Sequence, residues 1–322
     1  MKLFQWLVVL SLLALTRGQS ILDNIQNDEG LTSLAAAIQV AGLEEVLDGE
    51  GNFTVFAPTN DAFAAFLEAN ELSLGDIPES TVVALLTYHV LSGAVMSTDL
   101  EPLQFVETLL TNETFVTLAD GKGQNLGIEL NGSQVNLRFG LNTEATVTQA
   151  DIECDNGVIH IIDAVLTFPE ATSTTAQEAG LSSLLEAVVD NDLATTVDTT
   201  PSITIFAPTN DAFAIADIEE VLYTLQGHVV SGVAFSTDLS DGQEIATLNG
   251  DSITVTINDD GVFVNGAQVV VPNVITQNGV VHVIDGVLFQ SQAEDGEEDG
   301  EEDGSADGED GSAASSIRSV LF

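Results

Sequence analysis

Leu34, Ala37, Ile38 and Ala41 recur at the spacing that puts apolar side chains on one face of a helix, with Thr32 or Ser33 placed to cap its start. Residues 181–189 repeat this pattern with Ser182 or Ser183 in the capping place. Each helix pattern gives way to a β-branched and aromatic run, residues 53–57 in the first case, which predicts a buried strand stopped by Pro58. The triplet that follows, Thr59-Asn60-Asp61, returns as Thr209-Asn210-Asp211. It sets side-chain acceptors and a negative charge where a helix N-terminus leaves N–H groups unpaired, so Thr59, Asp61, Thr209 and Asp211 are expected to serve structure as caps. Residues 82–91 predict another amphipathic helix, capped by Ser80, with Gly93 in a left-handed position past its end. Residues 219–230 predict its counterpart.

Beyond these helices the chain reads as strands. Residues 115–118, 127–130 and 135–139 carry the signal first, then 245–248, 252–257, 262–264 and 268–271. Asn131-Gly132, Asn156-Gly157, Asn265-Gly266 and Asn278-Gly279 predict hairpin turns. Residues 158–162 and 280–284 are apolar on both faces apart from one histidine each, which marks an interior strand.

Three segments occur twice in the same order. TVFAPTNDAF from Thr54 returns as TIFAPTNDAF from Thr204, HVLSGAVMSTDL from His89 as HVVSGVAFSTDL from His228, and NGVIHIIDAVL from Asn156 as NGVVHVIDGVL from Asn278. A unit this long means tandem globular domains, each with its own core. The copies differ in one place: 26 positions separate Phe63 from His89 but 15 separate Phe213 from His228, so the second copy lacks a helix or loop of about 11 residues.

These blocks resemble the signature segments of the fasciclin domain family, over roughly residues 21–168 and 176–290. The resemblance implies an α+β fold of two tandem fasciclin-like domains, each a β-wedge or sandwich with helices packed at one end. It also implies a family used mostly in extracellular adhesion and matrix proteins, with no catalytic residues. Tyr88-His89 is similar to a Tyr-His pair linked to integrin binding in animal members, which makes both residues adhesion-motif candidates. The second copy has Gly227-His228 instead.

The N-terminus adds a location. Lys2, the apolar run 3–15 and the small residues around Arg17 read as a cleaved signal peptide over 1–18, too short in its apolar part to span a bilayer. The expected layout is then a first domain over 19–169, a shorter second domain over 170–292 and a disordered acidic tail over 293–322. Asn52, Asn112 and Asn131 head glycosylation sequons, all in the first domain. A secreted chain would ordinarily draw on disulfides, but Cys154 is the single cysteine. Its thiol is either partly buried and inert or the site of an intermolecular disulfide.

Charge narrows the partners. Five Lys and Arg against 51 Asp and Glu give −46, or −48 once Lys2 and Arg17 leave with the leader. Such a surface repels nucleic acid and anionic membranes. The tail carries 11 acids in the 17 residues 294–310 with nothing to bury, which predicts disorder and weak, distributed Ca²⁺ association or a solubilising spacer.

The four histidines fall at matching places, His89 with His228 and His160 with His282. Neither copy has the close His or Cys spacing of a zinc site, and no nucleophile elbow, phosphate loop or dinucleotide fingerprint occurs. All four are therefore expected to serve structure, with His160 and His282 mostly buried, and no cofactor or enzymatic activity is expected. The function these readings support is an extracellular adhesion or matrix protein acting on proteins or polysaccharides, or by self-association. The alternatives are a carrier of a small apolar ligand and an acidic protein that organises calcium or mineral.

Overall fold

The computed structural model describes residues 18–288 except 217 and 219. The expected acidic tail, and all of the expected leader but Gly18, lie outside the described residues. The chain runs α1 (Ile21–Asn27), α2 (Thr32–Ala41), α3 (Glu44–Asp48), β1 (Phe53–Pro58), α4 (Asn60–Ala69), α5 (Glu79–Tyr88), β2 (Val90–Ser92), β3 (Leu103–Glu107), β4 (Asn125–Asn131), β5 (Gln134–Phe139), β6 (Thr143–Cys154) and β7 (Gly157–Ile162). The second copy follows as α6 (Thr172–Glu178), α7 (Ser182–Asp190), α8 (Ala194–Thr199), β8 (Ile203–Pro208), α9 (Asn210–Ile215), α10 (Val221–Gly227), β9 (Val229–Ser231), β10 (Glu244–Ala246), β11 (Ser252–Asn258), β12 (Gly261–Val264), β13 (Ala267–Thr276) and β14 (Gly279–Ile284).

Each copy folds into one seven-stranded mixed sheet of the same order, β2-β1-β7-β6-β5-β4-β3 and β9-β8-β14-β13-β12-β11-β10. The pair β1/β7, like β8/β14, is parallel, and every other pairing is antiparallel. Irregularities in β6 and β13 bend the sheet, and single bridges, Leu91 to Thr108 and Val230 to Thr247, draw its two edges together into a wedge. Two cores result per domain. In the first, one core lies between the helices and β1/β7, around Ile25, Ile38, Val55, Leu85 and Ile159; the other fills the wedge around Phe56, Tyr88, Leu126, Leu137 and Ile162. Strand β7 serves both cores, which is why it is apolar on both faces.

Several elements depart from the sequence reading. The helix expected over 82–91 starts at Glu79 and ends at Tyr88, with Ser80 inside it rather than at its cap; Val90–Ser92 pair with β1 instead. In the same way the helix expected over 219–230 is Val221–Gly227, and Val229–Ser231 pair with β8. An apolar helical period cannot see that the edge of β1 needs a hydrogen-bonding partner. Gly93 does have a positive φ of 96°, but it follows β2 and not a helix. Residues 115–118 form no strand. Phe115 and Val116 fold back on the Asn112 carbonyl, and Phe115 stacks on Phe168 at 4.2 Å. The neighbouring strand is β3, and the strand expected over 245–248 shortens to Glu244–Ala246. The long, half-exposed β6 had too polar a sequence to be read as a strand.

Three hairpin turns are shifted by one residue. In two of them Asn156 and Asn278 lie in the turn, while Gly157 and Gly279 already begin strands. Those glycines are required by close approach: a Cβ on Gly157 would stand 2.0 Å from the Phe53 carbonyl oxygen, and one on Gly279 1.9 Å from that of Ile203. The third shifted turn holds Gly132-Ser133, whereas Asn265-Gly266 turns as read, with both residues at positive φ.

The two domains meet in a built junction. Phe105 of β3 stacks on Phe235 with ring centroids 3.8 Å apart. Gln124, fully buried, donates to the carbonyls of Thr276 and Gln277, and the Gln277 carbonyl also accepts the Thr117 N–H at 2.9 Å. The Ala119 N–H donates to Ser202 Oγ at 2.8 Å. The junction is one-way: Leu109 and Leu248 hold matching positions against β2 and β9, which aligns Phe105 with Glu244, so the second domain carries no equivalent aromatic.

Candidate functional site

The histidines are the groups with the greatest capacity for chemistry at neutral pH, and each occupies a defined network. His89 follows α5. Its Nδ1–H donates to the Leu85 carbonyl at 2.7 Å and its Nε2 accepts the Leu166 N–H at 2.9 Å. His228 repeats this with Thr224 and Leu288 at the same distances. Burial pushes both rings down to about 4, partly offset by the carbonyl each faces, so both stay neutral at physiological pH.

His160 and His282, central in β7 and β14, use the other tautomer. Nε2–H donates to the carbonyls of Val95 and Ala234, both at 2.9 Å, and Nδ1 accepts the N–H of Asp151 or Asn273. Those two residues sit at positive φ in the irregular part of β6 and β13. Their side chains hold the next loop: Asp151 accepts from the N–H and Oγ–H of Ser97, and Asn273 accepts the Ser236 N–H while donating to its Oγ. Burial would raise the Asp151 pKa, but the Ser97 donors and the nearby His160 outweigh it and hold the carboxyl below its ordinary range. Each of the eight ring nitrogens thus meets a backbone group. A ring in that state has no free nitrogen to bind a metal or relay a proton. Among the described residues no cluster of three or more His, Cys, Asp or Glu is arranged to hold a metal ion.

Tyr88 and His89, the adhesion candidates, are 0% and 2% exposed. The Tyr88 hydroxyl donates to the Asn125 carbonyl at 3.0 Å, inside the wedge, and burial raises its pKa. Both side chains are thus turned into the folded domain and not presented at its surface. The apolar requirement of the wedge core accounts for the tyrosine.

The caps divide differently from the sequence reading. Thr59 and Thr209 accept the N–H of Ala62 and Ala212 and so cap α4 and α9. Asp61 and Asp211 lie exposed in the first turn, where the helix dipole favours their charge, without being the cap. Asn60 and Asn210, which the sequence reading left aside, reach to other helices. Asn60 Oδ1 accepts the Ser33 N–H and its amide donates to the Glu29 carbonyl; Asn210 does the same with Ser183 and Gly180. The expected caps Thr32, Ser33, Ser182 and Ser183 are therefore not used, and the cap comes from α4 or α9. Asn156 and Asn278 were also missed as side chains. Asn156, 6% exposed, accepts the Ile21 N–H and donates to the carbonyls of Leu47 and Gly49, tying α1 and α3 to the β6–β7 turn. Their repetition at matching places in both copies was the available signal.

What faces solvent is acidic. Arg138 is clamped by Glu129 at 2.6 Å and Glu144 at 3.0 Å, which leaves Lys122 as the one exposed base among the described residues. It lines a cleft of about 590 Å³ at the domain junction together with Glu107, Asp120, Ser202 and Asp238. The sequon asparagines Asn52, Asn112 and Asn131 are all exposed. Cys154 is half-buried and receives the Asn24 amide at 3.3 Å; burial pushes its thiol up to about 11, away from nucleophilic use. No helix among the described residues is long and apolar enough to cross a membrane.

Comparison with known proteins agrees with the repeat. The model of the fasciclin domain matches residues 29–168 and 179–290. A fasciclin-like arabinogalactan protein of Phaeosphaeria nodorum is 30% identical over 91% of this chain and 95% of its own length. Human periostin is 27% identical over 82% of this chain, which corresponds to 32% of that protein. A solved FAS1 domain pair from the insect cell adhesion molecule fasciclin I covers 81% of this chain at 19% identity with a TM-score of 0.38.

Proposed function

This chain belongs to the fasciclin domain family, with two domains of that family in tandem, and we propose that it is an extracellular adhesion or matrix protein that works by contact rather than catalysis. The observation that carries the reading is the engagement of every histidine ring nitrogen by backbone, which supports a role for those groups in holding the wedges together. The Phe105–Phe235 stack and the buried Gln124 supply what a contact protein needs, a fixed spacing between two domains. The names of relatives, arabinogalactan proteins and periostin among them, support an extracellular setting.

The partner is a protein with a basic face, or a polysaccharide reached through bridging cations, because like charge repels acidic partners. The acidic sequence over 293–322 adds to the cation demand, and calcium-dependent self-association is part of the same reading. The test is a solid-phase binding assay with the full secreted chain against basic extracellular proteins and neutral and anionic polysaccharides, with and without millimolar Ca²⁺. Saturable binding to one class, weakened by salt, is expected. Binding to none of them above an albumin control would refute the proposal.

A further inference from the structure

The helix-facing core is filled differently in the two domains. In the first it leaves a cavity of about 40 Å³ under the helices; in the second the corresponding space is about 120 Å³. The cause is visible in the helix that opens each domain. Helices α1 and α6 hold matching places, since the Ile21 N–H and the Thr172 hydroxyl anchor them to the equivalent side-chain oxygens of Asn156 and Asn278. Counted from those anchors, Ile21, Leu22 and Ile25 of α1 become Thr172, Ser173 and Ala176 in α6. The three aliphatic side chains are buried in the first core, and their small replacements line the second cavity. At the first position of the parallel strand, Phe53 becomes Ile203, and both line their cavities. The exchanges remove more volume than Ile205 and Leu185, larger than their counterparts Val55 and Ala35, put back.

The walls of this space are Leu184, Val188, Ile205 and Val281, and its rim carries the half-exposed Leu248 and the exposed Thr196. The polar groups in its buried part are engaged, while Thr196 and Gln226 lie toward its rim. The Thr172 hydroxyl donates to Asn278 at 2.6 Å, the Ser173 hydroxyl donates to Asp198 at 2.6 Å, and His228 donates from Nδ1 to the Thr224 carbonyl and accepts the Leu288 N–H at Nε2. None of these is left to recognise a polar ligand, and the charge of the chain opposes an anionic one. An apolar cavity of about 150 Å³ stays dry and takes up benzene or xenon. The void in the second domain is close to that size and is lined in the same manner.

We propose that the second domain binds a neutral apolar ligand, a single ring or a short hydrocarbon chain, in the cavity between α6, α7, α8 and β8, and that the first domain does not. This goes beyond the adhesive role and does not depend on it.

The test is titration of the full chain with benzene, followed by methyl resonances in NMR and by the thermal midpoint. Saturable shifts are expected at Ala176, Leu184, Val188 and Val281, with none at Leu34, Ile38 and Val55 of the first domain. Two variants restore first-domain packing independently, Ala176→Ile and Ile203→Phe. Each should weaken benzene binding at least tenfold, which is about 1.4 kcal/mol, while keeping or raising the thermal midpoint of the second domain. The absence of saturable shifts in the wild-type chain, or unchanged affinity in either folded variant, would overturn the proposal.

Discussion

Acidification from about pH 7.5 to about pH 5 should destabilise the second domain in part through the ring of His228, with buried His282, whose pKa burial also lowers, acting in the same direction. In the folded domain its Nδ1–H is given to Thr224 and its Nε2 receives the Leu288 N–H, so a second proton would have to displace a donor already in place. Burial holds the folded pKa at about 4 against 6.5 in the open chain. As pH falls the unfolded chain therefore binds the proton first, and the equilibrium moves toward it. The contribution is whole above pH 6.5, is lost progressively as pH falls from there, and is gone below about 4. At pH 5 the linkage relation gives a loss of about 2 kcal/mol for this ring. That is a large share of the roughly 5–15 kcal/mol that stabilises a domain.

Carboxylates titrate in the same range, so the measurement has to be a difference. Urea unfolding of the wild-type chain and of His228→Gln is compared at both pH values. The variant starts lower by about 1–3 kcal/mol, because the Leu288 N–H loses its acceptor. Its further loss on acidification should be smaller than that of the wild type by about 2 kcal/mol. Carbon-detected NMR reads the ring directly: His228 should stay neutral in the folded protein down to about pH 5 and titrate near 6.5 in urea. A folded ring that titrates near 6.5, or identical pH profiles for the two proteins, would refute the reasoning.

Replacing Asn60 with Ala leaves the Ser33 N–H and the Glu29 carbonyl without their partner, and should lower first-domain stability by about 1–2 kcal/mol in a denaturant titration. Gly279→Ala forces a Cβ to within 1.9 Å of the Ile203 carbonyl oxygen; a loss of about 4 kcal/mol or more, or failure of the second domain to fold, is expected in thermal unfolding. Phe235→Ala removes half of the ring stack at the junction, so two resolved calorimetric transitions and a larger radius of gyration by X-ray scattering should replace the behaviour of the joined pair.

Sequence alone determined the number of domains and their family, because three ordered blocks repeat and their residue types state local needs. Leu34, Ala37, Ile38 and Ala41 make a helix with one buried face wherever the chain goes next, and residues 53–57 make a strand for the same local reason. The doubly apolar 158–162 could be read as interior because both of its faces carry the message. Tertiary structure decided whatever depended on residues distant in the chain. Val90–Ser92 became a strand because β1 offered an open edge, although their apolar spacing continued the helix before them. Asn60 caps a helix 27 residues away, and Asn156 holds α1 across 135 residues, contacts that leave no trace in local periodicity. Tyr88, a candidate only by its resemblance to an adhesion pair, is buried by its neighbours in space. The cavity of the second domain is of the same kind. Thr172, Ser173 and Ala176 carry no sequence signal of their own until folding sets them where the first domain places Ile21, Leu22 and Ile25, because empty volume is a property of what surrounds a residue and not of the residue itself.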